Sequence, residues 1–315
     1  INALFDSASA NTMKRSCAPQ NGLASFRIQP PGTHATRTGS QTMHKDQLAI
    51  TLVQTELVWE NPEANRDHMT RRLSDLPETD LVVLPEMWST GFSMASERLA
   101  EPMAGSTIAW MKATAGNLEV PIAGSVIIED QGRHFNRFCL ALPNGDIQHY
   151  DKRHLFRMAR EHKHYAAGHS RPVFELHGYR LLPQVCYDLR FPVFMRNRNH
   201  HRSVDHEESY DLMLVVANWP ARRRHHWRTL LQARAIENQC YVVGVNRIGI
   251  DGNDVEYCGD SIVADFEGML LADLREEDAV HRVVINREDL VNYRNGFPAW
   301  KDADEFDLTI EGDPD

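Results

Sequence analysis

The chain has 315 residues, of which 42% are hydrophobic and 25% are charged, and these proportions exclude a disordered, a collagen-like or a membrane-spanning protein. Its 34 Lys and Arg residues against 44 Asp and Glu residues give a net charge of -10, so the overall basic field of a nucleic-acid-binding protein is missing. A chain of this length can bury a large core without disulfides or structural metals.

Residues 1–42 are rich in small and polar residues and show little hydrophobic periodicity, which predicts a disordered or extension segment outside the fold. Their few basic residues precede no continuous apolar run, so we do not expect a secretory signal. The five cysteines are scattered and form no CxxC pair, which favours a reducing, cytoplasmic setting.

Between residues 43 and 300, short apolar runs alternate with helical patterns, which is typical of an α/β or layered α+β domain. In chain order the predicted strands are 48–54, 81–84, 122–128, 135–142, 147–150, 179–185, 212–217, 241–245, 261–266, 269–274 and 280–285. The predicted helices are 65–76, 108–118 and 227–238, each with apolar residues on one face. The His- and Arg-rich stretch 196–209 is typical of a solvated insertion, and the acidic residues 301–315 predict a C-terminal arm or tail.

Three predicted strands lead into polar residues that the strands themselves do not require: Glu86, Lys152 and Cys186. Polar residues at the carboxyl ends of buried strands line the crevice in which open α/β sheets bind ligands. Each also has a plain structural alternative, since a cysteine is usually a small buried side chain and a glutamate or lysine usually a surface or ion-pair residue. Cys139 and Cys240 fit this alternative because they lie in strand runs. Cys186 instead precedes a polar turn, whose backbone N–H groups favour a thiolate and can receive an oxyanion.

The residues around these positions resemble the three sequence blocks of the nitrilase, or carbon-nitrogen hydrolase, superfamily. The blocks are LPEMWSTGF around Glu86, YDKRHLF around Lys152 and QVCYDLRFP around Cys186, and their order and spacing match that superfamily over residues 45–300. The segment EHKHYAAG places Glu161 where the superfamily has a second, supporting glutamate. The resemblance implies a four-layer αββα sandwich, a homodimer or higher homo-oligomer, and a reaction that needs no cofactor.

Within the superfamily, the segments GFSM, HLFRMAREH and ANWP with its following arginine cluster are similar to the bacterial omega-amidase branch. That likeness implies hydrolysis of a small linear amide, 2-oxoglutaramate or 2-oxosuccinamate, to a carboxylate and ammonia. Three other reactions of the superfamily stay open: those of a nitrilase, an N-carbamoyl amidohydrolase and a deaminated glutathione amidase. A catalytically silent binding member also stays open, although the intact Glu86, Lys152 and Cys186 argue against it.

Amide hydrolysis needs an activated nucleophile, a proton donor for the leaving nitrogen and hydrogen-bond donors for the oxyanion, and these residue types supply all three. We assign Cys186 as the nucleophile and Glu86 as the general base that returns the proton to the departing ammonia. Lys152 and the backbone N–H of Tyr187 stabilise the oxyanion. Glu161 orients Lys152 or the substrate amide.

A 2-oxo dicarboxylic monoamide also requires a cation at the far end of its pocket, and the loops near the motifs offer cations and apolar walls. The candidate substrate-binding residues are Arg190, Arg222, Arg223, Trp219, Phe92 and Met94. The alternatives are solvated arginines and ordinary packing residues. The basic run 196–206 has no coherent ligand spacing, and the run 222–226 leads a helix whose other face is apolar, so we expect no metal site. The acidic chain has no stacking motif and no apolar run long enough to cross a bilayer, so we expect no nucleic-acid or membrane partner.

Overall fold

Two six-stranded sheets, each built around parallel strands, carry the fold. The computed structural model describes residues 45–197, 209–304 and 306–310, and the predicted segment 1–42 and most of the predicted insertion 196–209 lie outside them. The first sheet contains β1 (Gln47–Gln54), β2 (Leu81–Val83), β3 (Ile122–Asp130), β4 (Arg133–Ala141), β5 (Ile147–Asp151) and β14 (Ala279–Asn286). The second contains β6 (Phe174–Leu176), β7 (Tyr179–Val185), β8 (Leu212–Ala217), β9 (Tyr241–Asn246), β12 (Ile262–Ala264) and β13 (Leu270–Asp273).

A short hairpin, six α-helices and five short 3-10 helices complete the regular structure of the described residues. The hairpin pairs β10 (Ile248–Ile250) with β11 (Glu256–Cys258). The helices are α1 (Pro62–Arg72), α2 (Ser96–Leu99), α3 (Ser106–Leu118), α4 (Pro192–Met195), α5 (Arg224–Asn238) and α6 (Arg287–Gly296). Within the described ranges, no helix is both long and apolar enough to cross a membrane.

The two sheets follow the same strand plan. The first has the order β14-β1-β2-β3-β4-β5 and the second the order β13-β12-β9-β8-β7-β6. In each, three parallel strands (β1 to β3, and β7 to β9) are flanked by one antiparallel strand on one side and two on the other. Since parallel strands end at the same edge of a sheet, each sheet offers one edge where strand-ending side chains collect.

Alternating side chains of the strands build the layers. Leu48 and Ile50 of β1 lie in one buried cluster with Leu181 of β7 and Leu214 of β8, so the sheets pack face to face. The other face of the first sheet packs against α1 and α3, and Trp227 and Leu231 of α5 lie against β9 of the second sheet. The order of layers is helix, sheet, sheet, helix, which confirms the predicted αββα sandwich.

The differences between predicted and observed elements lie in short or capped segments. Helix α1 begins at Pro62, earlier than predicted, because Asn61 caps it through its side chain and proline suits the first turn. Helix α6 was not predicted, although Asn286 caps it and Glu288 lies in its first turn. Strands β6, β10 and β11 have three residues each, too few to show a periodic pattern.

Candidate active site

The three residues singled out at strand ends lie close together between the two sheets. Glu86 follows β2 and Lys152 follows β5 in the first sheet, whereas Cys186 follows β7 in the second. The Glu86 and Lys152 side chains are fully buried, and Cys186 is 9% exposed. The site thus takes its carboxylate and its ammonium from one sheet and its thiol from the other.

The Lys152 ammonium lies between two carboxylates. Its Nζ donates to Glu86 Oε1 at 2.9 Å and to both carboxylate oxygens of Glu161 at 3.0 Å. Glu161 also accepts the backbone N–H of Phe156 at 2.5 Å, which fixes the carboxylate in place. The structure therefore places Glu161 as a hydrogen-bond and ion-pair partner of Lys152.

Burial and neighbouring charges shift the pKa values of Lys152 and Glu161 in opposite directions. Burial alone would lower the pKa of Lys152, but the charges of Glu161 and Glu86 outweigh it and raise that pKa, so the ammonium keeps its proton. Burial raises the pKa of Glu161, and the nearby Lys152 partly offsets this rise. The cluster thus holds a charged ammonium between two buried carboxylates.

Cys186 lies at a strained point in the chain. Its backbone is in the left-handed region, with φ at 48°, a conformation that costs a residue with a side chain about 1–3 kcal/mol. It opens a 3-10 turn, Cys186–Arg190, and its thiol contacts the Asn218 backbone oxygen at 3.8 Å. Tyr187 occupies the next position, where a helical turn leaves the backbone N–H without an internal acceptor.

The resting state of the thiol differs from our sequence-based expectation. The turn's backbone N–H groups were expected to favour a thiolate, but burial and the nearby Glu86 carboxylate raise the Cys186 pKa well above its usual value. The residue therefore rests as a thiol. A base must remove its proton before or during attack on a carbonyl carbon, and Glu86 interacts with it directly.

Two asparagines complete the surroundings of Glu86, and neither was a predicted site residue. Asn136 Nδ2 on β4 donates to Glu86 Oε1 at 2.7 Å and to Glu161 Oε1 at 3.3 Å. Asn218, directly after β8, donates its backbone N–H to Glu86 Oε2 at 2.7 Å. Asn218 Oδ1 is buried and has no hydrogen-bond partner among the described residues, so it can accept an N–H from a bound molecule. Asn218 could have been found from the strand-end rule, whereas Asn136 shows only as a polar residue inside an apolar strand.

A cavity of about 330 Å³ opens over the thiol. Cys186, Tyr187 and Asn218 line its base, and all six predicted substrate-binding residues line it as well: Phe92, Met94, Arg190, Trp219, Arg222 and Arg223. The volume suits a small molecule, and its walls combine apolar faces with a few polar groups, as ligand sites do.

The three cavity arginines have no carboxylate partner among the described residues. Arg190 lies over the Trp219 ring at 4.7 Å and Arg223 over the Phe156 ring at 5.2 Å. Burial, together with the charges of Arg222 and Arg190, lowers the pKa of Arg223. Three neighbouring guanidinium groups repel one another, so an anion placed between them would be stabilised.

The neighbouring basic residues have structural partners. Arg224 bonds Asp260 and Glu276, and Arg228 bonds Asp260 and Asp273. In the part of the chain that the structure describes, no group of three or more His, Cys, Asp or Glu residues is arranged to hold a metal.

Comparisons with known proteins agree on one family. A family model described as carbon-nitrogen hydrolase matches residues 49–295. Omega-amidase YafV of Escherichia coli is 48% identical over 264 residues, which cover 83% of this chain and 98% of that protein. The 2-oxoglutaramate amidase of Bacillus subtilis is 35% identical over 226 residues, covering 71% of this chain and 84% of that protein. A crystal structure of a CN-hydrolase superfamily protein from Xanthomonas campestris, with an arsenic adduct in its active site, has a TM-score of 0.80 and 47% identity, covering 83% of this chain and 99% of that chain.

Proposed function

The chain belongs to the carbon-nitrogen hydrolase family, and we propose that it is an omega-amidase that hydrolyses the terminal amide of 2-oxoglutaramate or 2-oxosuccinamate. The observation that carries this proposal is the cavity over the Cys186 thiol, whose lining includes three arginines without carboxylate partners among the described residues. The Glu86 carboxylate, which interacts with that thiol, and the Lys152 ammonium bonded to Glu86 are buried next to the cavity. A short amide with a carboxylate at its other end would place the amide at the thiol and the carboxylate at the arginines. The relatives named omega-amidase and 2-oxoglutaramate amidase support the same substrate class.

The proposed reaction begins with attack of the Cys186 sulfur on the amide carbon. Glu86 accepts the thiol proton as the carbon–sulfur bond forms, because the thiol itself is protonated at rest. The carbonyl oxygen becomes an oxyanion between the Lys152 ammonium and the Tyr187 backbone N–H. Glu86 then gives its proton to the amide nitrogen, the carbon–nitrogen bond breaks, and ammonia leaves with a thioester left on Cys186.

Water completes the reaction on the same residues. Glu86 takes a proton from water as the oxygen attacks the thioester carbon, and the carbon–sulfur bond breaks with return of that proton to sulfur. The thiol is regenerated, and the carboxylic acid gives its remaining proton to ammonia or to water and leaves as the carboxylate. Glu161 keeps Lys152 in place throughout, since it receives the ammonium with both oxygens.

Ammonia release on a small panel of amides tests the proposal. The panel contains 2-oxoglutaramate, 2-oxosuccinamate, glutamine, a nitrile and an N-carbamoyl amino acid. Deaminated glutathione is assayed beside them by release of cysteinylglycine, because its hydrolysis frees no ammonia. We expect the highest kcat/KM on the two 2-oxo monoamides. A higher value on the nitrile, the carbamoyl compound or deaminated glutathione would assign the corresponding alternative reaction, and no product from any of them would identify a silent member.

Cys186→Ala is the matched variant for the panel. We expect it to lose roughly 10³-fold or more in kcat with an unchanged circular dichroism spectrum, because the nucleophile is removed and little packing is lost. Glu86→Gln should be nearly as damaging. Cys139→Ala, the control, removes a buried thiol on β4 outside the cavity and should leave the chemical step largely unaffected.

A further inference from the structure

One buried carboxylate joins the two chain segments that carry Lys152 and Cys186. Asp188 is fully buried, and its Oδ1 accepts the backbone N–H of His154 at 2.9 Å and bonds His154 Nδ1 at 2.8 Å. Its Oδ2 accepts the Tyr150 hydroxyl at 2.9 Å and the backbone N–H of Val185 at 3.0 Å. These four bonds use the acceptor capacity of a carboxylate in full.

Asp188 and its donors lie close in the chain to both Lys152 and Cys186. Tyr150 and His154 are two residues before and two residues after Lys152. Val185 immediately precedes Cys186, and Asp188 follows it by two residues. The Asp188 carboxylate is therefore a single link between the loop of the cation and the turn of the nucleophile. Nothing in the proposed chemistry requires Asp188 to touch the substrate.

The His154 ring is held in one orientation. It stacks on Phe191 with centroids 3.9 Å apart and planes 8° apart, and it meets Phe194 edge-on at 5.2 Å. The carboxylate partner places a proton on Nδ1, since an unprotonated nitrogen would face Asp188 without a bond. The ring thus acts as a fixed donor while its outer side stays partly exposed to solvent.

We propose that Asp188 and His154 are positioning residues for the amidase reaction, which set the spacing between Lys152 and Cys186 and hold Cys186 in its left-handed backbone conformation. A conformation with φ at 48° persists only where the surroundings fix it, and Val185 and Asp188 fix it from both sides. The proposal rests on the proposed function for the roles of Lys152 and Cys186.

Loss of this link should lower kcat more than it raises KM. A displacement of about 1 Å between reacting groups can cost roughly 100-fold in rate. Arg222 and Arg223 lie outside the Cys186–Arg190 turn, and among the described residues they share no hydrogen bond or ion pair with Asp188 or His154, so they should still bind the substrate carboxylate. We therefore expect kcat to fall while KM changes little.

Three substitutions of His154 test the proposal on 2-oxoglutaramate. In His154→Asn the amide nitrogen takes the place of Nδ1, whereas in His154→Gln it lies one carbon further along and in His154→Ala it is absent. We expect kcat to fall about 10- to 100-fold in the Ala and Gln variants with KM within about twofold, and the Asn variant to recover to within about threefold of the parent. The control is His281→Ala, an exposed histidine on β14, which should leave kcat unchanged.

Alkylation of Cys186 by iodoacetamide, followed by mass spectrometry, is a second measurement that requires no amide substrate. Because the thiol is held in a buried position, a loosened turn should expose it and raise its alkylation rate threefold or more in the Ala and Gln variants but not in the Asn variant. A failure of the proposed function would remove ammonia release and leave this pattern, so the two outcomes are distinguishable.

The proposal is overturned if His154→Ala keeps the parent kcat, if Gln restores turnover as well as Asn does, or if the loss in kcat only follows the loss of folded protein. If His154→Ala does not fold, Tyr150→Phe carries the test, because it removes one donor to Asp188 and keeps the ring. It should show the same fall in kcat with an unchanged KM.

Discussion

In the protein without substrate, Glu86 influences the protonation of Cys186. The carboxylate helps to raise the pKa of the thiol, and the same carboxylate is the base that removes the thiol proton in the proposed reaction. The thiol therefore keeps its proton at rest, and Glu86 must remove that proton before or during attack on a carbonyl carbon. Lys152 cannot serve as the proton carrier, because the two glutamates raise its pKa and keep it charged.

Arg223 should carry the recognition of a substrate carboxylate. It is half-buried, lies over the Phe156 ring, and has like charges as its nearest ionic neighbours. We expect Arg223→Ala to raise KM for 2-oxoglutaramate about 10- to 100-fold, the value of one charge-assisted hydrogen bond, with a much smaller change in kcat.

Steady-state kinetics with a neutral short amide as the second substrate checks this prediction. KM for the neutral amide should not rise, since no carboxylate is lost from the contact. Arg275→Ala, a solvent-exposed arginine outside the cavity, is the control. An equal rise in KM for both substrates would show that Arg223 supports the shape of the cavity and not its charge preference.

Site residues at strand ends could be predicted from the sequence, and residues that act through tertiary contacts could not. Glu86, Lys152 and Cys186 each follow a run of apolar residues, and such a run marks a buried strand. Asn136 contacts Glu86 from a strand whose pattern gives no reason to single it out. The sequence also could not show that the cavity arginines lack carboxylate partners, because this depends on which distant parts of the chain the fold brings close to them.

At the scale of elements, the contact between α5 and β9 depends on the absence of a side chain at Gly244. A Cβ at this position would lie 2.4 Å from a Leu231 methyl group and 2.9 Å from the Trp227 ring. We expect Gly244→Ala to lower the free energy of unfolding by about 1–3 kcal/mol, because two buried side chains must move. Urea unfolding followed by circular dichroism measures this change.

Gly116 provides the opposite case for the same substitution. It lies in α3, and an added Cβ would meet only the Pro143 backbone oxygen at an ordinary 3.5 Å. Gly116→Ala should therefore stabilise the protein by about 0.5–1 kcal/mol through helix propensity. A stabilising effect at both positions would contradict the close packing of α5 on β9.

An ion pair that fastens α5 to β13 should give a pH-dependent contribution to stability. Hydrogen bonds from Arg228 lower the pKa of Asp273 in the folded protein. The contribution is therefore complete above the unfolded pKa of about 4 and is lost as the pH falls through the lower folded value. Asp273→Asn should reduce the free energy of unfolding at pH 7, and the difference should shrink below about pH 4.

Urea unfolding at several pH values checks this sign, with exposed Asp75→Asn as the control. The control should show no comparable loss at pH 7. A difference for Asp273→Asn that grows on acidification would contradict the assigned direction.

Long periodic elements could be predicted from the sequence, because their burial pattern repeats several times. The helices α3 and α5 were predicted on this basis, and the strands of both parallel cores were predicted from their short apolar runs. The hairpin of β10 and β11 and the short β6 depend on neighbours distant in the chain, and their few residues carry no repeat. Tertiary pairing, and not local sequence, defines them.

At the scale of the whole molecule, the sandwich itself assembles the site. The base and the cation come from the first sheet and the thiol from the second, and Asn218 of the second sheet bonds Glu86 of the first. Neither sheet contains a complete set of reacting groups. The proposed activity therefore depends on correct packing of the two sheets against each other.

The last strand should be necessary although it carries no site residue. Strand β14 pairs with the whole of β1, from Gln47 with Asn286 to Gln54 with Ala279. A chain that ends after Asp278 keeps every site residue but exposes the edge of β1, so we expect it to aggregate and to release no ammonia. Soluble yield, size-exclusion chromatography and the ammonia assay measure this outcome.

A chain that ends after Ala303 is the control, since it keeps β14 and α6. We expect it to fold and to remain active, with some loss of stability because Leu308 and Ile310 pack against the core. A soluble and active protein without β14 would show that the edge of β1 tolerates exposure.

The pairing of β1 with β14 also has a consequence for biosynthesis. Strand β1 is synthesised long before its partner β14. Glu86, Lys152 and Cys186 lie between the two strands in the chain, so they emerge from the ribosome before β1 can pair with β14. During this interval the nascent chain presents an open edge and an incomplete sandwich, and such states attract chaperones and other chains. The three residues are thus made before the strand that pairs with β1, and the first sheet is complete only after β14 has been made.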